Sequence, residues 1–371
     1  QAAGEALQKD PAVDLMIGNN RKAELPQILE DFFAGRERAR REYVTDIGKT
    51  REYEPLSIRN VSEHTRAFLK IQDGCNQFCS YCIIPYTRGR VRSRRPEEIA
   101  AEAERLVSQG YQEIVLTGIH LSSYGLDFPE GGRESLVSLM ARLDRIRGLK
   151  RMRLGSLEPR IITEEFAGAL AGLKTLCPHF HLSLQSGSDS VLKRMNRRYT
   201  AGEYEEGCRI LRRWFGDPAI TTDVIVGFPG ETREEFGETL EFVKKIRFYE
   251  MHVFKYSRRE GTRAAGMEGQ IGESVKSERS DVLLKTGARL SLEYRKSLLG
   301  REKEVLMEEK AVIGGKEYLV GHTGEYVKAA VLWDEEKRGQ MVTGVLKRML
   351  TDEILLLEVL TEQHFLKYNN R

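Results

Sequence analysis

Between about residue 64 and residue 300, short strand-like runs alternate with helical stretches, and this alternation is the feature that most constrains the fold. The runs are apolar or β-branched, and they lie at residues 67–71, 113–119, 152–156, 181–185, 221–227 and 251–256. Such alternation predicts a parallel sheet covered by helices, which is an α/β fold. Because six units are too few for a closed eight-unit barrel, we predict an open, partial six-unit (β/α) barrel. Ligands of such folds gather at the carboxyl ends of the strands.

Helix start signals lie between these runs. Pro96 stands where the first residue of a helix is expected. Thr200 with Glu203, and Thr232 with Glu235, have the spacing of capping boxes. The predicted helices cover residues 96–109, 135–146, 163–173 and 200–215, with a further helix from about residue 232.

The regions that flank residues 64–300 have different patterns. Residues 1–34 offer one short strand and two helical pieces, which cannot bury both faces of a sheet, so we expect the C-terminal remnant of an N-terminal α/β domain. Strand-like runs separated by Gly, Asp and Glu predict a small all-β barrel of about five strands at 301–363, followed by a tail at 364–371. Residues 35–63 are predicted to be a charged linker, which includes Arg36, Arg38, Arg40 and Arg41.

Composition excludes several classes of protein. The chain has 371 residues, 40% of them hydrophobic, which suits two or three packed domains and excludes a disordered chain. No apolar run approaches the roughly 18–20 residues that cross a bilayer, and no signal peptide opens the sequence, so no membrane partner is expected. Five cysteines at spacings unlike a disulfide framework indicate a reducing compartment, and we expect a cytoplasmic protein. The net charge of +3 makes no case for nucleic acid by itself.

Three of the five cysteines, Cys75, Cys79 and Cys82, lie within eight positions on the loop after the first strand-like run. Three thiols are too few for a tetrahedral zinc site, and no histidine follows nearby. A C-x3-C-x2-C loop at a strand end suits a 4Fe-4S cluster that has three thiolate ligands and one iron open to a small molecule. A zinc knuckle, or a chance grouping of structural thiols, is the alternative. Cys177 and Cys208 stand apart and are predicted to be buried or loop thiols.

The motif C-x3-C-x-Y-C at Cys75–Cys82 resembles the radical S-adenosylmethionine enzymes. Within that superfamily, KIQDGCNQFCSYCIIPYTRG, EIVLTGIHLSSYG, LSLQSGSDSVLKRMNRRYT and DVIVGFPGET resemble the methylthiotransferases. The stretch LTGIHLSSYG resembles the branch that acts on N6-threonylcarbamoyladenosine at position 37 of tRNA. Residues 301–363 resemble the TRAM domain of the family.

The resemblance implies both cofactors and a reaction. Cys75, Cys79 and Cys82 would hold the 4Fe-4S cluster, and S-adenosylmethionine on its open iron would yield a 5′-deoxyadenosyl radical after one electron is added. In this family one S-adenosylmethionine methylates sulfur on a second, auxiliary 4Fe-4S cluster. The radical from another removes hydrogen from C2 of the modified adenine, where methylthio joins. Three further N-terminal cysteines hold the auxiliary cluster, and they are absent from this chain, so we expect a fragment of a longer protein.

Three of the residues expected at the cofactor follow the first two strands. The resemblance implies that Tyr81 lies beside the adenine of S-adenosylmethionine. Thr117 and Gly118 end the second strand, where relatives present backbone groups to the methionine amine, and a glycine lets the backbone approach closely. A packing aromatic and a turn glycine are the structural alternatives.

Four more cofactor residues are expected near the ends of the later strands. Glu158 would reach the ribose or the amine, and the Gln185 amide would bond the ribose hydroxyls. Arg197 would pair with the cofactor carboxylate through two hydrogen bonds. Asp223 and the loop GFPGE would close the far side. Surface or capping roles are the alternatives for each of these residues.

Clustered arginines follow the cysteines without an intervening acid, and they predict contact with RNA phosphates; a solvated face is the alternative. This first cluster comprises Arg88, Arg90, Arg92, Arg94 and Arg95, and a second comprises Lys193, Arg194, Arg197 and Arg198. In residues 301–371 acidic residues outnumber basic ones by 13 to 11, so total charge gives RNA binding no support there. A local RNA-binding patch in this region rests mainly on the resemblance, and it comprises Lys328, Lys347 and Arg348.

The resemblance also implies partners. These are a tRNA anticodon loop, whose bases are exposed, and an electron donor such as a flavodoxin or ferredoxin, with no DNA partner. Two alternative substrates fit the same chemistry, namely isopentenyladenosine in tRNA and an aspartate of a ribosomal protein. A non-catalytic zinc protein that binds RNA is the alternative of a different class, and it would be colourless rather than brown.

Overall fold

The computed structural model describes residues 1, 4–36, 42–56, 65–129 and 134–360. The predicted tail, residues 364–371, lies outside the described residues, as do Arg38, Arg40, Arg41 and part of the predicted linker. In the N-terminal region, two short strands pair in parallel. The elements of this region are α1 (Gly4–Gln8), β1 (Met16–Ile17), α2 (Leu25–Phe33) and β2 (Glu42–Tyr43).

Six parallel strands form the central sheet, which has the order β3, β5, β6, β7, β8, β9 and carries β4 antiparallel on its first edge. Isolated parallel bridges, such as Leu157 to Leu182, connect its two halves between β6 and β7. This arrangement confirms the predicted open, partial barrel. The strands are β3 (Arg66–Asp73), β4 (Arg92–Ser93), β5 (Glu113–Gly118), β6 (Arg151–Leu154), β7 (His179–His181), β8 (Ala219–Val226) and β9 (Glu250–Lys255).

Helices cover the outer face of this sheet, except for α3 (Ile84–Thr87), which belongs to the cysteine loop. The capping boxes of Thr200 with Glu203 and of Thr232 with Glu235 are both formed, which confirms the two predicted helix starts. The helices are α3 (Ile84–Thr87), α4 (Pro96–Ser108), α5 (Leu136–Leu143), α6 (Glu164–Ala171), α7 (Asp189–Arg194), α8 (Ala201–Phe215), α9 (Arg233–Ile246) and α10 (Glu273–Ser297).

Side-chain alternation along the strands separates a buried outer face from a concave inner face. On β8, Ile220, Val224 and Val226 belong to the main hydrophobic core with residues of the covering helices. The alternate positions Thr221 and Asp223 therefore lie on the concave face. The apolar face fixes the register, and it leaves the concave face free for polar side chains.

The C-terminal strands form a closed five-stranded barrel with its own hydrophobic core. The number of strands agrees with the sequence prediction. Strand order around the barrel is β10-β11-β12-β14-β13, and closure leaves no exposed sheet edge. The strands are β10 (Glu302–Ile313), β11 (Lys316–Thr323), β12 (Lys328–Leu332), β13 (Met341–Met349) and β14 (Ile354–Val359).

Arginines at the amino ends of the central strands attach this small barrel. Arg151 donates from Nη1 to a carbonyl oxygen of β11 (2.8 Å), and Arg153 donates from Nη1 to the carbonyl oxygen of Gly324 (2.9 Å). The Tyr326 ring lies between Arg66 and Arg153, whose Cζ atoms are 4.8 and 4.7 Å from the ring centroid. Cation–π contacts of this kind stabilise more when they are desolvated.

Glu308 is the carboxylate at this junction. Thr65 donates from Oγ1 to Glu308 Oε1 (2.6 Å), and Arg66 and His322 also bond the carboxylate. Burial by itself raises the pKa of Glu308, but the hydrogen bonds from His322 and Arg66 lower it to about 2. The carboxylate is therefore ionised at neutral pH and balances the charge of Arg66.

We expect Glu308→Gln to lower the free energy of unfolding by about 3 kcal/mol at neutral pH, because it leaves a buried arginine without its carboxylate. The folded-state pKa lies below the ordinary value of 4.5, so this stability is complete above about pH 4.5 and is lost as the pH falls toward about 2. In urea unfolding, the difference in free energy of unfolding between wild type and variant should therefore decrease as the pH falls from about 5 to about 3. The exposed neighbour Glu309→Gln is the control, and a difference independent of pH would contradict this assignment.

Candidate cofactor site

The loop that carries the three cysteines follows β3 and is fixed from two other parts of the chain. Ser80 donates its backbone N–H to the carbonyl oxygen of Met195 (2.9 Å), just after α7. Ala264 donates its backbone N–H to the carbonyl oxygen of Ser80 (2.7 Å), and Cys75 donates to Gly89 (3.0 Å). These bonds hold the loop at the carboxyl ends of the strands, where ligand sites of open α/β sheets form.

The start of this loop requires a glycine. Gly74 has a φ of +74°, and a Cβ atom there would lie 1.8 Å from the carbonyl oxygen of Arg90. Gln72 donates from Nε2 to the carbonyl oxygens of Asp73 (2.8 Å) and Gly74 (2.7 Å). A buried side chain therefore supports the backbone directly before Cys75.

One cavity of about 150 Å³ brings most of the predicted site residues together. It lies at the carboxyl ends of the strands and takes residues from four different units of the barrel. The predicted site residues that line this cavity are Cys75, Cys79, Tyr81, Cys82, Glu158, Gln185 and Arg197.

The three thiols are free and half-buried. Burial, with a smaller contribution from the neighbouring thiols, raises the pKa of Cys75 to about 11 and also raises that of Cys82. Three thiolates on one loop fit a 4Fe-4S cluster, in which each thiolate binds its own iron and the fourth iron stays open.

Arg197 is a cation fixed beside these thiols. It donates from Nη1 to Cys79 Sγ (3.3 Å) and from Nε to the Tyr199 hydroxyl (3.0 Å). Burial by itself lowers the pKa of Arg197, but the phenols and the thiol around it raise the pKa overall, so the guanidinium stays charged. This position suits an anionic ligand group next to the cysteine loop.

Glu158 and Gln185 also present polar groups to the cavity. Glu158 is buried and accepts from Arg160 Nε at Oε1 (2.7 Å). Gln185 donates its backbone N–H to the carbonyl oxygen of Asp223 (2.8 Å) and has a φ of +69°. The predicted strand at 181–185 is therefore wrong in its bounds, because β7 runs from His179 to His181 and the backbone at Gln185 is left-handed.

Tyr81 packs as an aromatic and lines the cavity as well. Its ring meets Phe228 edge-on, with centroids 6.4 Å apart, and lies against a small cluster that includes Met195 and Tyr256. Burial raises the pKa of Tyr81 well above its ordinary value, so the phenol stays neutral. The packing and cofactor interpretations are compatible at this position.

Three predicted cofactor residues do not line the cavity. Thr117 and Gly118 end β5, and the lining begins with the next residue, Ile119. The side chain of Asp223 lies against His181, with Oδ2 3.1 Å from Nε2, on the concave face. The structure thus places these three beside the cavity rather than in its wall.

His120 is a cavity residue that sequence reasoning missed. Its Nδ1 lies 2.7 Å from Ser123 Oγ, and its Nε2 is buried without a hydrogen-bond partner among the described residues. Burial is the main cause that lowers the pKa of His120 to about 4, so the ring is neutral. The sequence signal that could have identified His120 was its position two residues after Gly118, the glycine that ends β5.

The first arginine cluster divides into structural and exposed members. Arg92 and Arg94 are buried, and Arg94 donates from Nη1 to Glu102 Oε2 (2.5 Å). For these two residues the prediction of RNA contact is corrected, because the folded chain covers their side chains. Arg88 forms two 3.0 Å hydrogen bonds with Asp73.

The remaining basic residues are more accessible. Arg90 and Arg95 are exposed and lie over the rings of Phe78 and Phe128, with Cζ 4.6 and 5.4 Å from the centroids. In the second cluster, Arg194 is paired with Glu235, whereas Lys193 and Arg198 are exposed. In the small barrel, Arg348 is exposed, Lys328 is half-buried and Lys347 pairs with Glu358 (2.7 Å).

The two remaining cysteines are buried away from the site, as predicted. Burial raises the pKa of Cys177 to about 11 and that of Cys208 to about 12. Both thiols are therefore neutral and enclosed by the fold.

This chain is similar to known proteins over regions that include the residues of this site. Residues 69–243 match the Radical SAM superfamily model. The chain is 41% identical over 344 residues to the threonylcarbamoyladenosine tRNA methylthiotransferase MtaB of Bacillus subtilis, covering 92% of this chain and 75% of that protein. It is 39% identical over 298 residues to the tRNA-2-methylthio-N(6)-dimethylallyladenosine synthase of Pelotomaculum thermopropionicum, covering 80% of this chain and 65% of that protein. The chain thus spans about two thirds to three quarters of the length of these relatives.

A solved structure shares the fold. It is the radical S-adenosylmethionine methyltransferase TsrM from Kitasatospora setae with its tryptophan substrate and a SAM analogue bound, at a TM-score of 0.50 and 18% identity. The match covers 64% of this chain and 50% of that chain, and it concerns the fold alone. None of the helices in the described part of the chain has the length and apolar character needed to cross a bilayer.

We expect Cys79→Ala to abolish iron–sulfur binding while the fold is kept, because the loop is fixed by backbone hydrogen bonds that this change does not touch. Iron analysis and the absorbance of the anaerobically reconstituted protein measure the loss, and circular dichroism checks the fold. Cys208→Ala is the matched control, since it removes a buried thiol outside the cavity. Iron content equal to wild type in Cys79→Ala would refute the ligand assignment.

Proposed function

The chain belongs to the radical S-adenosylmethionine methylthiotransferase family, and we propose that it serves to methylthiolate C2 of N6-threonylcarbamoyladenosine at position 37 of tRNA. One observation carries this proposal: three half-buried free thiols share a cavity with fixed polar side chains from three other units of the barrel. The chemistry of this donor set fits a 4Fe-4S cluster with one open iron.

In this proposal Cys75, Cys79 and Cys82 would hold the cluster, and S-adenosylmethionine would bind beside it against the polar residues that line the cavity. When bound, these cofactors supply a 5′-deoxyadenosyl radical, which is needed because the C2–H bond of adenine is not acidic enough for base catalysis. The protein contributes binding and orientation of these cofactors.

The polar residues of the cavity suit the parts of S-adenosylmethionine. Arg197 is a charged donor beside the cysteine loop and would hold the carboxylate. Glu158 offers acceptors to the amine or the ribose, and Gln185 offers both donors and acceptors to the ribose hydroxyls. Tyr81 lines the cavity with a ring that is held by its packing on Phe228. Thr117, Gly118 and Asp223 would act from neighbouring positions.

The threonylcarbamoyl substrate is supported by the match to MtaB, which extends over 92% of this chain. A second candidate is N6-dimethylallyladenosine in tRNA, because a synthase that acts on it is 39% identical over 80% of the chain. The stretch LTGIHLSSYG, which includes the cavity residue His120, favours the first substrate.

Contacts with tRNA are assigned to accessible basic residues. Arg90 and Arg95 lie exposed near the cysteine loop, where they would meet the phosphates around an anticodon-loop base. We extend the same assignment to Lys328, Lys347 and Arg348 on the five-stranded barrel, which we propose as a TRAM-like domain. The auxiliary 4Fe-4S cluster, the flavodoxin or ferredoxin donor and the cytoplasmic location are proposals for the full-length protein.

Nucleoside analysis tests this function. A strain that lacks the full-length gene should lose 2-methylthio-N6-threonylcarbamoyladenosine from its tRNA, as measured by mass spectrometry. Wild type and Cys208→Ala genes should restore it, and Cys79→Ala should not. Loss of the dimethylallyl nucleoside instead would establish the second candidate, and an unchanged nucleoside profile would reject both.

A further inference from the structure

Three potential metal ligands meet on the concave face of the second half of the barrel. His181 lies on β7, Asp223 on β8 and His252 on β9. Parallel pairing sets Asp223 opposite His252, and His181 opposite Thr221, two residues from Asp223. Because paired residues of adjacent strands point to the same face, the register brings the three side chains together.

Their donor atoms are close enough to share an ion. One ligand atom from each residue lies within 4.8 Å of the other two, and His181 Nε2 is 3.1 Å from Asp223 Oδ2. Ligands about 2.0–2.2 Å from one ion are about 3–4 Å apart, so side-chain adjustments of about an ångström would complete the site.

The His181 ring is already oriented in the way that metal ligands are. Its Nδ1 lies 3.0 Å from Thr221 Oγ1, and this contact directs Nε2 toward Asp223. A metal-bound histidine usually donates its second ring N–H to an oxygen, which fixes both the tautomer and the ring orientation. Thr221 supplies that oxygen from the same face of β8.

His252 distinguishes an ion site from a simple hydrogen-bonded pair. The contact of His181 with Asp223 alone is explained by a hydrogen bond, without any third residue. Within the part of the chain that the structure describes, the His252 side chain makes no hydrogen bond or ion pair, yet its ring centroid is 6.0 Å from that of His181. His252 is exposed and the other two side chains are 13% and 26% exposed, so the group is open to ions from solution.

We propose that His181, Asp223 and His252 form a site for a divalent transition-metal ion such as zinc. Two imidazoles and one carboxylate suit zinc and its neighbours in the first transition series, whereas magnesium prefers oxygen ligands alone. Three protein ligands leave at least one position for water or another oxygen donor, such as a carboxylate or hydroxyl, on the concave side. None of the three residues lines the cysteine cavity, so the ion is distinct from the cluster.

The test uses the full chain with its cluster reconstituted, so that the cysteines are occupied by iron. Samples are dialysed anaerobically against zinc chloride or magnesium chloride, and the metal per chain is measured by plasma mass spectrometry. Wild type should retain about one zinc and no magnesium, with its iron unchanged. His252→Ala and Asp223→Asn should each bind zinc at least about ten-fold more weakly. Lys255→Ala is the matched control, because Lys255 is exposed on the opposite face of β9 and should bind zinc as wild type does.

The outcomes separate this inference from the proposed function. Iron content and 5′-deoxyadenosine formation of the wild type, measured on the same samples, report on the cysteine site, whereas Asp223→Asn is judged by its zinc and iron content because Asp223 is also proposed to act beside the cofactor. Wild type that retains no zinc would overturn the inference even if these two readouts are normal. Zinc retained equally by wild type, His252→Ala and Asp223→Asn would overturn it as well, and circular dichroism confirms that each variant is folded.

Discussion

The hydrogen bonds between the cysteine loop and the far half of the barrel are the constraint on which the rest of the structure depends. The barrel is open, so its first and later strands have no closing ladder between them. Ser80 bridges this gap, since its N–H and Oγ donate to the carbonyl oxygens of Met195 and Arg194 at the end of α7, and its carbonyl oxygen accepts from Ala264. The loop of the first unit is thereby brought against the cavity residues of the fourth. Without these bonds, nothing would fix the distance between the thiols and the polar residues of the cavity.

The carboxyl ends of the central strands form the cavity, whereas their amino ends attach the five-stranded barrel. At the carboxyl ends, half-buried thiols and a single fixed guanidinium create a cavity for charged ligands. At the amino ends, Arg151 and Arg153 attach the five-stranded barrel through its backbone carbonyl oxygens, while Glu113 and Glu308 balance the buried charge. Because the attachment and the cavity use opposite strand ends, the small barrel is held firmly without entering the site.

Local signals in the sequence predicted the strands, the capped helices and the cysteine loop, because each depends on residues close together in the chain. The cavity residues from later units were expected from the family resemblance. Features set by distant packing were not predictable. The turn at Gln185 depends on pairing with β8, and the burial of Arg94 depends on packing against β3, where its N–H donates to the carbonyl oxygen of Ile71. The long helix α10 has a mixed polar sequence, in which buried residues include Lys276 and Ser280, so its inward face is not visible as an apolar stripe. The grouping of His181 with Asp223 and His252 depends on the register of three neighbouring strands.

The central claim is that three thiolates leave one iron of the cluster open to S-adenosylmethionine. Electron paramagnetic resonance of the reduced, reconstituted chain tests it most directly, with S-adenosylmethionine labelled in its amine and carboxylate. The account predicts that the cofactor shifts the signal of the cluster and that the labels couple to it magnetically. A signal that is unchanged by the cofactor, without coupling to either label, would mean that the protein itself fills every iron site, and would contradict the account.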